Sequence, residues 1–275
     1  MSARSADHLE DGSDALQVLQ LTDTHLYADE EGRLLGQRTR QTLDLVLDLV
    51  PRALAPLDLV LLTGDLVHDE SPEGYQYLKE RMAALGAPCH CLPGNHDSSS
   101  IMADIFDRVP AKMGTSVQQG RWNLVLLDST MPGEDGGHLD GDQLGHLQDS
   151  LARRPDDPAL VCLHHQPVPV GSIWMDTMAL DNPYAFFGII DRHPQVRAIL
   201  WGHVHQEFSG ERKGVCLLGS PSTCVQFLPG SRDFALDTRT PGLRWLKLYG
   251  DGRIDTGVER IDSYPDPLVL TKSGY

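Results

Sequence analysis

Five apolar stretches of the sequence each run into a loop that carries Asp, Asn or His. In the most informative one, residues 58–65, an apolar run precedes Gly64 and the carboxylate of Asp65. Such a run is typical of a buried parallel strand that ends in a tight loop. The other four stretches are residues 18–25, 90–97, 160–165 and 198–205. Because open α/β sheets bind ligands at the carboxyl ends of their strands, we expect these loops to form one site.

The segments between these stretches predict helices and further strands. Residues 39–50 and 72–85 have helical apolar spacing, so the chain begins in the strand–helix–strand order of a parallel α/β layer. Residues 171–181 have no clear period, and we interpret them as a loop over the site. The short strands after residue 204 predict a second sheet packed face to face on the first.

Length and charge limit the classes of protein that fit this sequence. The 275 residues suffice for one large domain, which we predict over residues 14–262, between a flexible N-terminus at residues 1–13 and a C-terminal tail at residues 263–275. The net charge of −16 repels phosphate backbones, so nucleic acid is not an expected partner. Neither an apolar signal peptide nor an apolar run of about 20 residues is present, which predicts a cytoplasmic protein without a membrane span.

The cysteines give no disulfide framework. Their number is five and they form no repeated pattern, so we expect buried thiols in a reducing compartment. Cys89 and Cys91 could instead be a pair of zinc ligands, but no second pair accompanies them.

The loops after the strands supply the side chains of a metal site. Asp23-x-His25 and His203-x-His205 are pairs whose side chains share a face in an extended segment. The candidate ligands number seven, more than one cation with an open position needs, and suit two cations about 3.5–4 Å apart with Asp65 as the bridge. Oxygen and imidazole ligands without thiolate fit Fe, Mn, Zn or Co. The seven are Asp23, His25, Asp65, Asn95, His164, His203 and His205.

In order and spacing, five motifs resemble those of the calcineurin-like metallophosphoesterases. They are Asp23-x-His25, Gly64-Asp65-x-x-x-Asp69, Gly94-Asn95-His96-Asp97, His164-His165 and Gly202-His203-x-His205. The resemblance implies a four-layer α/β/β/α sandwich with two mixed β-sheets. It also implies a first metal held by Asp23, His25, Asp65 and His205. A second metal would be held by Asp65, Asn95, His164 and His203.

Within this superfamily the chain most resembles the bacterial class III cyclic-nucleotide phosphodiesterases. The resemblance lies in residues 164–169, 174–176, 203–207 and 221–227, while Gln166 stands where some relatives carry a further His. It implies two metal ions, Fe and/or Mn with Zn or Co as alternatives, and hydrolysis of 3′,5′-cyclic AMP to 5′-AMP. Monomer and homodimer both remain open.

The motifs also predict how the reaction proceeds. A hydroxide shared by two cations is a nucleophile at neutral pH and would attack phosphorus in line with the leaving 3′-oxygen. Asn95 would hold a phosphoryl oxygen, and His96 would protonate the leaving oxygen, oriented by Asp97 or Asp69. With Asp65 and His96 as the catalytic residues, the further candidate substrate contacts are His25, His205 and Trp174.

Trp174 has two interpretations. Its ring could contact the base or ribose of the substrate, or it could be packed under a loop. His165 should point away from a site that His164 faces, because side chains alternate along a strand. The remaining histidines are expected to be ordinary surface or core residues: His68, His90, His138, His146 and His193.

Two other functions compete with cyclic AMP hydrolysis. The same site could hydrolyse a glycerophosphodiester, a 2′,3′-cyclic nucleotide, a phosphomonoester or a nucleic acid. The acidic surface argues against the last of these. A metal-binding scaffold that has lost catalysis would carry a damaged motif, and all five motifs are intact.

Overall fold

A computed structural model of the protein describes residues 15–54, 56–106 and 115–270. The strands in this part of the chain are β1 (Leu16–Leu21), β2 (Arg33–Leu34), β3 (Gln37–Arg38), β4 (Leu59–Thr63), β5 (Cys89–Leu92), β6 (Thr115–Gln119), β7 (Trp122–Leu126), β8 (Ala159–Cys162), β9 (Val196–Trp201), β10 (Phe208–Arg212), β11 (Val215–Gly219), β12 (Gln226–Phe227), β13 (Leu236–Asp237), β14 (Gly242–Leu248) and β15 (Ile254–Arg260). The helices are α1 (Thr39–Leu47), α2 (Val50–Ala53), α3 (Pro72–Ala84), α4 (Ser99–Ile105), α5 (Gly141–Ala152), α6 (Ile173–Asp176) and α7 (Pro183–Ile190).

Two mixed sheets form the centre of the molecule. The first has the strand order β15-β14-β1-β4-β5, and the second has the order β10-β11-β9-β8-β7-β6. In the first sheet β1, β4 and β5 are parallel, and β14 is antiparallel to β1. In the second sheet β7, β8, β9 and β11 are parallel.

The apolar strands are buried on both faces, which accounts for the four layers. In β4, Leu59 and Leu61 pack in the cluster between the two sheets, together with Leu200 of β9. Val60 and Leu62 point the other way, into the cluster that also holds side chains of α1, α3 and α4. On the far face of the second sheet a further cluster includes side chains of α5 and α7. This is the predicted α/β/β/α sandwich.

The prediction of a separate second sheet after residue 204 is wrong. Strands β10 and β11 extend the sheet that holds β7, β8 and β9, whereas β14 and β15 return to the first sheet beside β1. An apolar pattern locates a strand but does not choose its partner, because pairing is decided by packing between distant segments. The polar strands β6 and β10 are half-buried or exposed at most positions and form the two opposite edges of the second sheet. They lack the apolar run that would predict a strand.

Two smaller predictions are corrected. Residues 171–181 contain the short helix α6, whose Asp176 carboxylate accepts the backbone N–H groups of Val170 and Gly171 at 2.7 and 3.0 Å. A helix of a single turn, such as α6, is too short to show a helical period of apolar residues in the sequence. The predicted helix over residues 39–50 is two helices, α1 and α2, with Pro51 in the first turn of the second, where proline is favoured.

The five cysteines all lie in the described part of the chain as free thiols, and Cys91, Cys162 and Cys224 are buried. Burial raises the pKa of Cys89 and of Cys224 to about 12, so these thiols are protonated at neutral pH.

The predicted domain limits stay a prediction, because residues 1–14 and 271–275 lie outside the described part of the chain. Of the predicted C-terminal tail, Asp266 accepts hydrogen bonds from Arg33 and Arg38 at 3.0 and 3.2 Å. Of the helices that the structure describes, none is both long and apolar enough to cross a membrane.

Candidate metal centre

The candidate ligands meet where the two sheets present the carboxyl ends of their parallel strands. Loops after β1, β4 and β5 come from the first sheet, and loops after β8 and β9 come from the second. The site is buried: Asp65 is 2% exposed, His203 is 5% exposed, and the other His and Asp ligands are fully covered. Among the described residues, four sets of three side chains could each offer ligand atoms within 4.8 Å of one another: Asp23, His25 and His205; Asp23, Asp65 and His164; His164, His165 and His203; and His25, His68 and His96.

Left-handed backbone conformations, rather than the alternation of side chains along a strand, direct the ligand side chains toward the centre. Eight non-glycine residues of the described chain have positive φ, and five of them are candidate ligands. They are Asp23, His25, Asp65, His203 and His205, with φ of 53°, 44°, 52°, 64° and 45°. The prediction that the two i, i+2 pairs lie in extended chain is therefore wrong. Such backbone is strained, and strain of this kind is concentrated at functional sites.

Glycines beside the ligands allow the loops to approach closely. A Cβ atom on Gly94 would overlap the Oδ1 atom of Asp65, and one on Gly64 would overlap the Nδ1 atom of His164. At Gly202 a Cβ would overlap the hydroxyl of Thr22. The three glycines of the Gly-Asp, Gly-Asn-His and Gly-His motifs are thus required by packing.

Asp65 lies between imidazoles that come from both sheets. Its Oδ2 atom is 3.3 Å from Nε2 of His164 and 3.9 Å from Nε2 of His25. On the His25 side, Nε2 of His205 lies 3.2 Å from Nε2 of His25 and 3.3 Å from Oδ1 of Asp23. This is the arrangement expected of a carboxylate shared by two ligand sets.

Several buried atoms of the site suit a cation and lack another partner. Oδ1 of Asn95 and Nε2 of His203 are buried and have no hydrogen-bond partner among the described residues. A buried polar atom left unpaired costs about 1–3 kcal/mol, so these atoms call for an explanation. Burial holds the pKa of His25 and of His203 well below the usual value, which leaves both imidazoles neutral, the form that binds a metal. The residues present therefore fit a pair of metal ions.

Backbone carbonyls set the orientation of two ligand imidazoles. Nδ1 of His164 donates to the carbonyl of Thr63, and Nδ1 of His205 donates to the carbonyl of Val225, both at 2.8 Å. Because a carbonyl only accepts, each Nδ1 carries a hydrogen. In the neutral tautomer that leaves the lone pair of Nε2 facing the centre, as in metal-binding histidines generally.

The centre favours positive charge beside Asp65. Burial alone would lower the pKa of His164, but the carboxylate of Asp65 outweighs it and raises that pKa to about 9. Burial likewise opposes ionisation of Asp65, yet His164 and its neighbours hold the pKa of the carboxyl well below its usual value. Without a bound cation, protonated His164 would balance the charge of the carboxylate; a bound cation would take the place of that proton.

Two histidines that the sequence assigned no part in the site belong to its surroundings. His165 does not point away: its ring lies 4.7 Å from that of His203, and its Nδ1 is 2.8 Å from the hydroxyl of Ser129. His68 stacks on His96 with 4.8 Å between ring centroids. The loop that follows β8 departs from strand geometry, so alternation from His164 could not place His165.

The two carboxylates expected to orient His96 each accept hydrogen bonds from backbone N–H groups. Asp97 accepts the N–H groups of Leu66, Val67 and Gly94 at 2.9–3.1 Å and the hydroxyl of Tyr75 at 2.9 Å, so it joins the loops after β4 and β5. Asp69 accepts the N–H of Ala28 and the hydroxyl of Ser71. Both carboxylates therefore hold the backbone of the loops around the site.

Trp174 contacts the centre through an intermediate ring. Its Nε1 donates to the hydroxyl of Ser231 at 3.1 Å, and its ring meets Phe227 and Phe234 edge to face at 5.1 and 5.2 Å. Phe227 in turn stacks on His205, with ring centroids 4.1 Å apart. These contacts match the packed alternative, although Trp174 is only half-buried. Sequence reasoning singled out the segment of Phe227 but not the stack.

The fold and this centre define a dimetal phosphoesterase. Residues 16–207 match the family described as calcineurin-like phosphoesterase, and the chain belongs to this family, as its motifs predicted. The chain is 42% identical over 264 residues to the 3′,5′-cyclic adenosine monophosphate phosphodiesterase CpdA of Pseudomonas aeruginosa, with 94% of each chain covered. It is 40% identical to the protein of the same name from Vibrio vulnificus, with 100% of each chain covered. Among solved structures, a dimetal phosphatase from Danio rerio is similar in fold, with a TM-score of 0.62, 16% identity, and 91% of this chain and 100% of that chain covered.

Removal of the Asp65 carboxylate should lower the affinity for metal at both positions. We expect the protein to bind about two Mn²⁺ per chain and Asp65→Ala to bind both more weakly. Equilibrium dialysis with elemental analysis measures this, with circular dichroism to verify folding. Asp149→Ala, at a position that is 68% exposed, is the matched control. Retention of two tightly held ions by Asp65→Ala would contradict a shared ligand.

Proposed function

We propose that the protein is a metal-dependent phosphodiesterase that hydrolyses 3′,5′-cyclic AMP to 5′-AMP in the cytoplasm and so lowers cyclic AMP signalling. The observation that carries the proposal is the carboxylate of Asp65, 3.3 Å from an imidazole of one ligand set and 3.9 Å from an imidazole of the other. The substrate class is supported by similarity over nearly the whole chain to relatives named for cyclic AMP.

We propose two sets of metal ligands that share Asp65. Asp23, His25, Asp65 and His205 would hold one cation, and Asp65, Asn95, His164 and His203 the other. When bound, such cations neutralise phosphoryl charge and lower the pKa of coordinated water to about 7. Fe and/or Mn are proposed, because the oxygen and imidazole donors include no thiolate.

His96 is proposed as the acid that protonates the 3′-oxygen when its bond to phosphorus breaks. The backbone N–H of His96 donates to Oδ1 of Asp65 at 2.9 Å, which ties the acid to the centre. Its ring lies 5.1 Å from that of His25 and is half-buried, so one side is open to a substrate.

Asn95 is proposed to use both the oxygen and the nitrogen of its side-chain amide for binding. Its buried Oδ1 has no hydrogen-bond donor in the described part of the chain and suits a cation, which leaves the NH₂ group to donate to a phosphoryl oxygen. His25 and His205 are fully buried. We therefore propose them as metal ligands, and their contact with substrate as limited to the phosphoryl group at the centre.

Turnover of a substrate panel tests the proposed function. The Mn²⁺-loaded protein should give its highest kcat/KM with 3′,5′-cyclic AMP, above 2′,3′-cyclic AMP, glycerophosphocholine and p-nitrophenyl phosphate. Much faster hydrolysis of glycerophosphocholine would replace the proposal by a glycerophosphodiesterase. Two bound metals without turnover of any substrate would indicate a scaffold.

Replacement of His96, the proposed acid, should slow the hydrolysis only of substrates with poor leaving groups. His96→Ala should keep both metals and lose about 10²-fold or more of kcat on cyclic AMP. The loss should be much smaller on bis(p-nitrophenyl) phosphate, because p-nitrophenolate leaves without a proton. Equal losses on both substrates would instead indicate phosphate binding by His96.

Trp174 is proposed as a wall of the nucleoside pocket. Trp174→Ala should raise the KM for cyclic AMP about tenfold, since a base stacked on an aromatic ring is stabilised by about 1–3 kcal/mol. The KM for bis(p-nitrophenyl) phosphate should change little. Trp174→Phe keeps a ring but loses the hydrogen bond to Ser231, which separates stacking from support of the loop. Equal effects on both substrates would make Trp174 a packing residue for Phe227.

A further inference from the structure

His68 lies beside the metal centre, in the loop between β4 and α3, and three aromatic or imidazole rings surround it. Its ring lies 5.1 Å from that of Tyr27, 5.3 Å from that of His25 and 4.8 Å from that of His96. The backbone beneath it is held, since the N–H of His68 donates to the carbonyl of Leu26 at 2.8 Å. The side chain is half-buried and surrounded by aromatic rings.

The edge of the His68 ring meets the side of His25 that faces away from the centre. Nδ1 of His68 lies 3.2 Å from Nδ1 of His25. The other nitrogen of His25, Nε2, is 3.9 Å from Oδ2 of Asp65. If Nε2 of His25 binds a cation, Nδ1 must carry its hydrogen, and Nδ1 of His68 is then the acceptor. Thr63 and Val225 perform this task for the other two oriented ligands with a backbone carbonyl.

The face of the same ring meets His96. The interplanar angle between His68 and His96 is 25°, a stacked arrangement, whereas His68 and His25 are at 61°. One side chain therefore contacts a proposed metal ligand through its edge and the proposed leaving-group acid through its face. These two contacts use different parts of the ring, so substitutions can remove them separately.

We propose that His68 is a positioning residue with two functions. It accepts the Nδ1 hydrogen of His25, which directs Nε2 of His25 to the centre, and it supports the imidazole of His96 by stacking. The second function rests on the proposed function of the protein, whereas the first depends only on metal binding. Tyr27 and the backbone bond to Leu26 keep His68 in place.

Two substitutions separate the functions. His68→Asn places an amide oxygen near the former Nδ1 but removes the ring, so it should keep the bond to His25 and lose the stack. His68→Phe keeps a stacking ring and loses the acceptor. His193→Phe is the matched control, because His193 lies before β9, at the opposite end of that strand from the site, and pairs with Gln148.

Metal binding is the first measurement and needs no substrate. Calorimetric titration of the metal-free protein with Mn²⁺ should show about 10–100-fold weaker binding at one position for His68→Phe, the usual effect of losing a group that orients a ligand. His68→Asn and His193→Phe should bind as the unsubstituted protein does. Equal affinity of His68→Phe and the unsubstituted protein would overturn the first function.

Turnover at saturating Mn²⁺ is the second measurement. His68→Asn should reduce kcat on cyclic AMP about tenfold, because it would lose part of the roughly 10²–10⁴-fold contribution of a general acid. On bis(p-nitrophenyl) phosphate its kcat should change little. Unchanged kcat on cyclic AMP, or equal losses on both substrates, would overturn the second function. If the unsubstituted protein does not hydrolyse cyclic AMP, the proposed function fails, while the titration still decides the first function of His68.

Discussion

The structure depends on the position of one buried carboxylate. Asp65 follows β4 of the first sheet in left-handed backbone, with φ of 52°, and its Oδ2 is 3.3 Å from an imidazole that follows β8 of the second sheet. Its Oδ1 accepts the N–H of His96 from the loop after β5 at 2.9 Å. Three loops from two sheets therefore converge on a single side chain. A shift of one sheet against the other would move the Asp65 carboxylate away from one of these neighbours.

The two sheets are also joined by polar bonds at this edge, in addition to their apolar core. The N–H of His203 donates to the carboxylate of Asp23 at 3.0 Å, and Nδ1 of His164 donates to Thr63 at 2.8 Å. Farther in, the buried Arg244 donates to the hydroxyl of Ser220 at 3.0 Å, and that hydroxyl donates to Gln20. Buried polar groups are costly when unpaired, so this network allows few other arrangements of the sheets. The geometry of the centre is thus part of the packing of the fold.

The sequence was informative where a strand is an unbroken apolar run and a glycine precedes a ligand, as at Gly64 and Asp65. Those features depend on burial and close approach, which residue type reports directly. It was uninformative about edge strands such as β6, whose polar residues resemble a loop, and about strand partners such as β14. It missed His68, because the stack with His96 joins loops after two different strands. It also did not predict that the carboxylate of Asp97 accepts backbone N–H groups of two loops, because those contacts exist only once the loops have come together.

On the proposed function, Asp65 holds two metal ions side by side. Electron paramagnetic resonance of the Mn²⁺-loaded protein tests it directly, because two Mn²⁺ ions about 3.5–4 Å apart with a shared ligand are magnetically coupled. At two equivalents of Mn²⁺ per chain, we expect the spectrum of a coupled pair. A spectrum of two isolated Mn²⁺ ions at the same loading would contradict it.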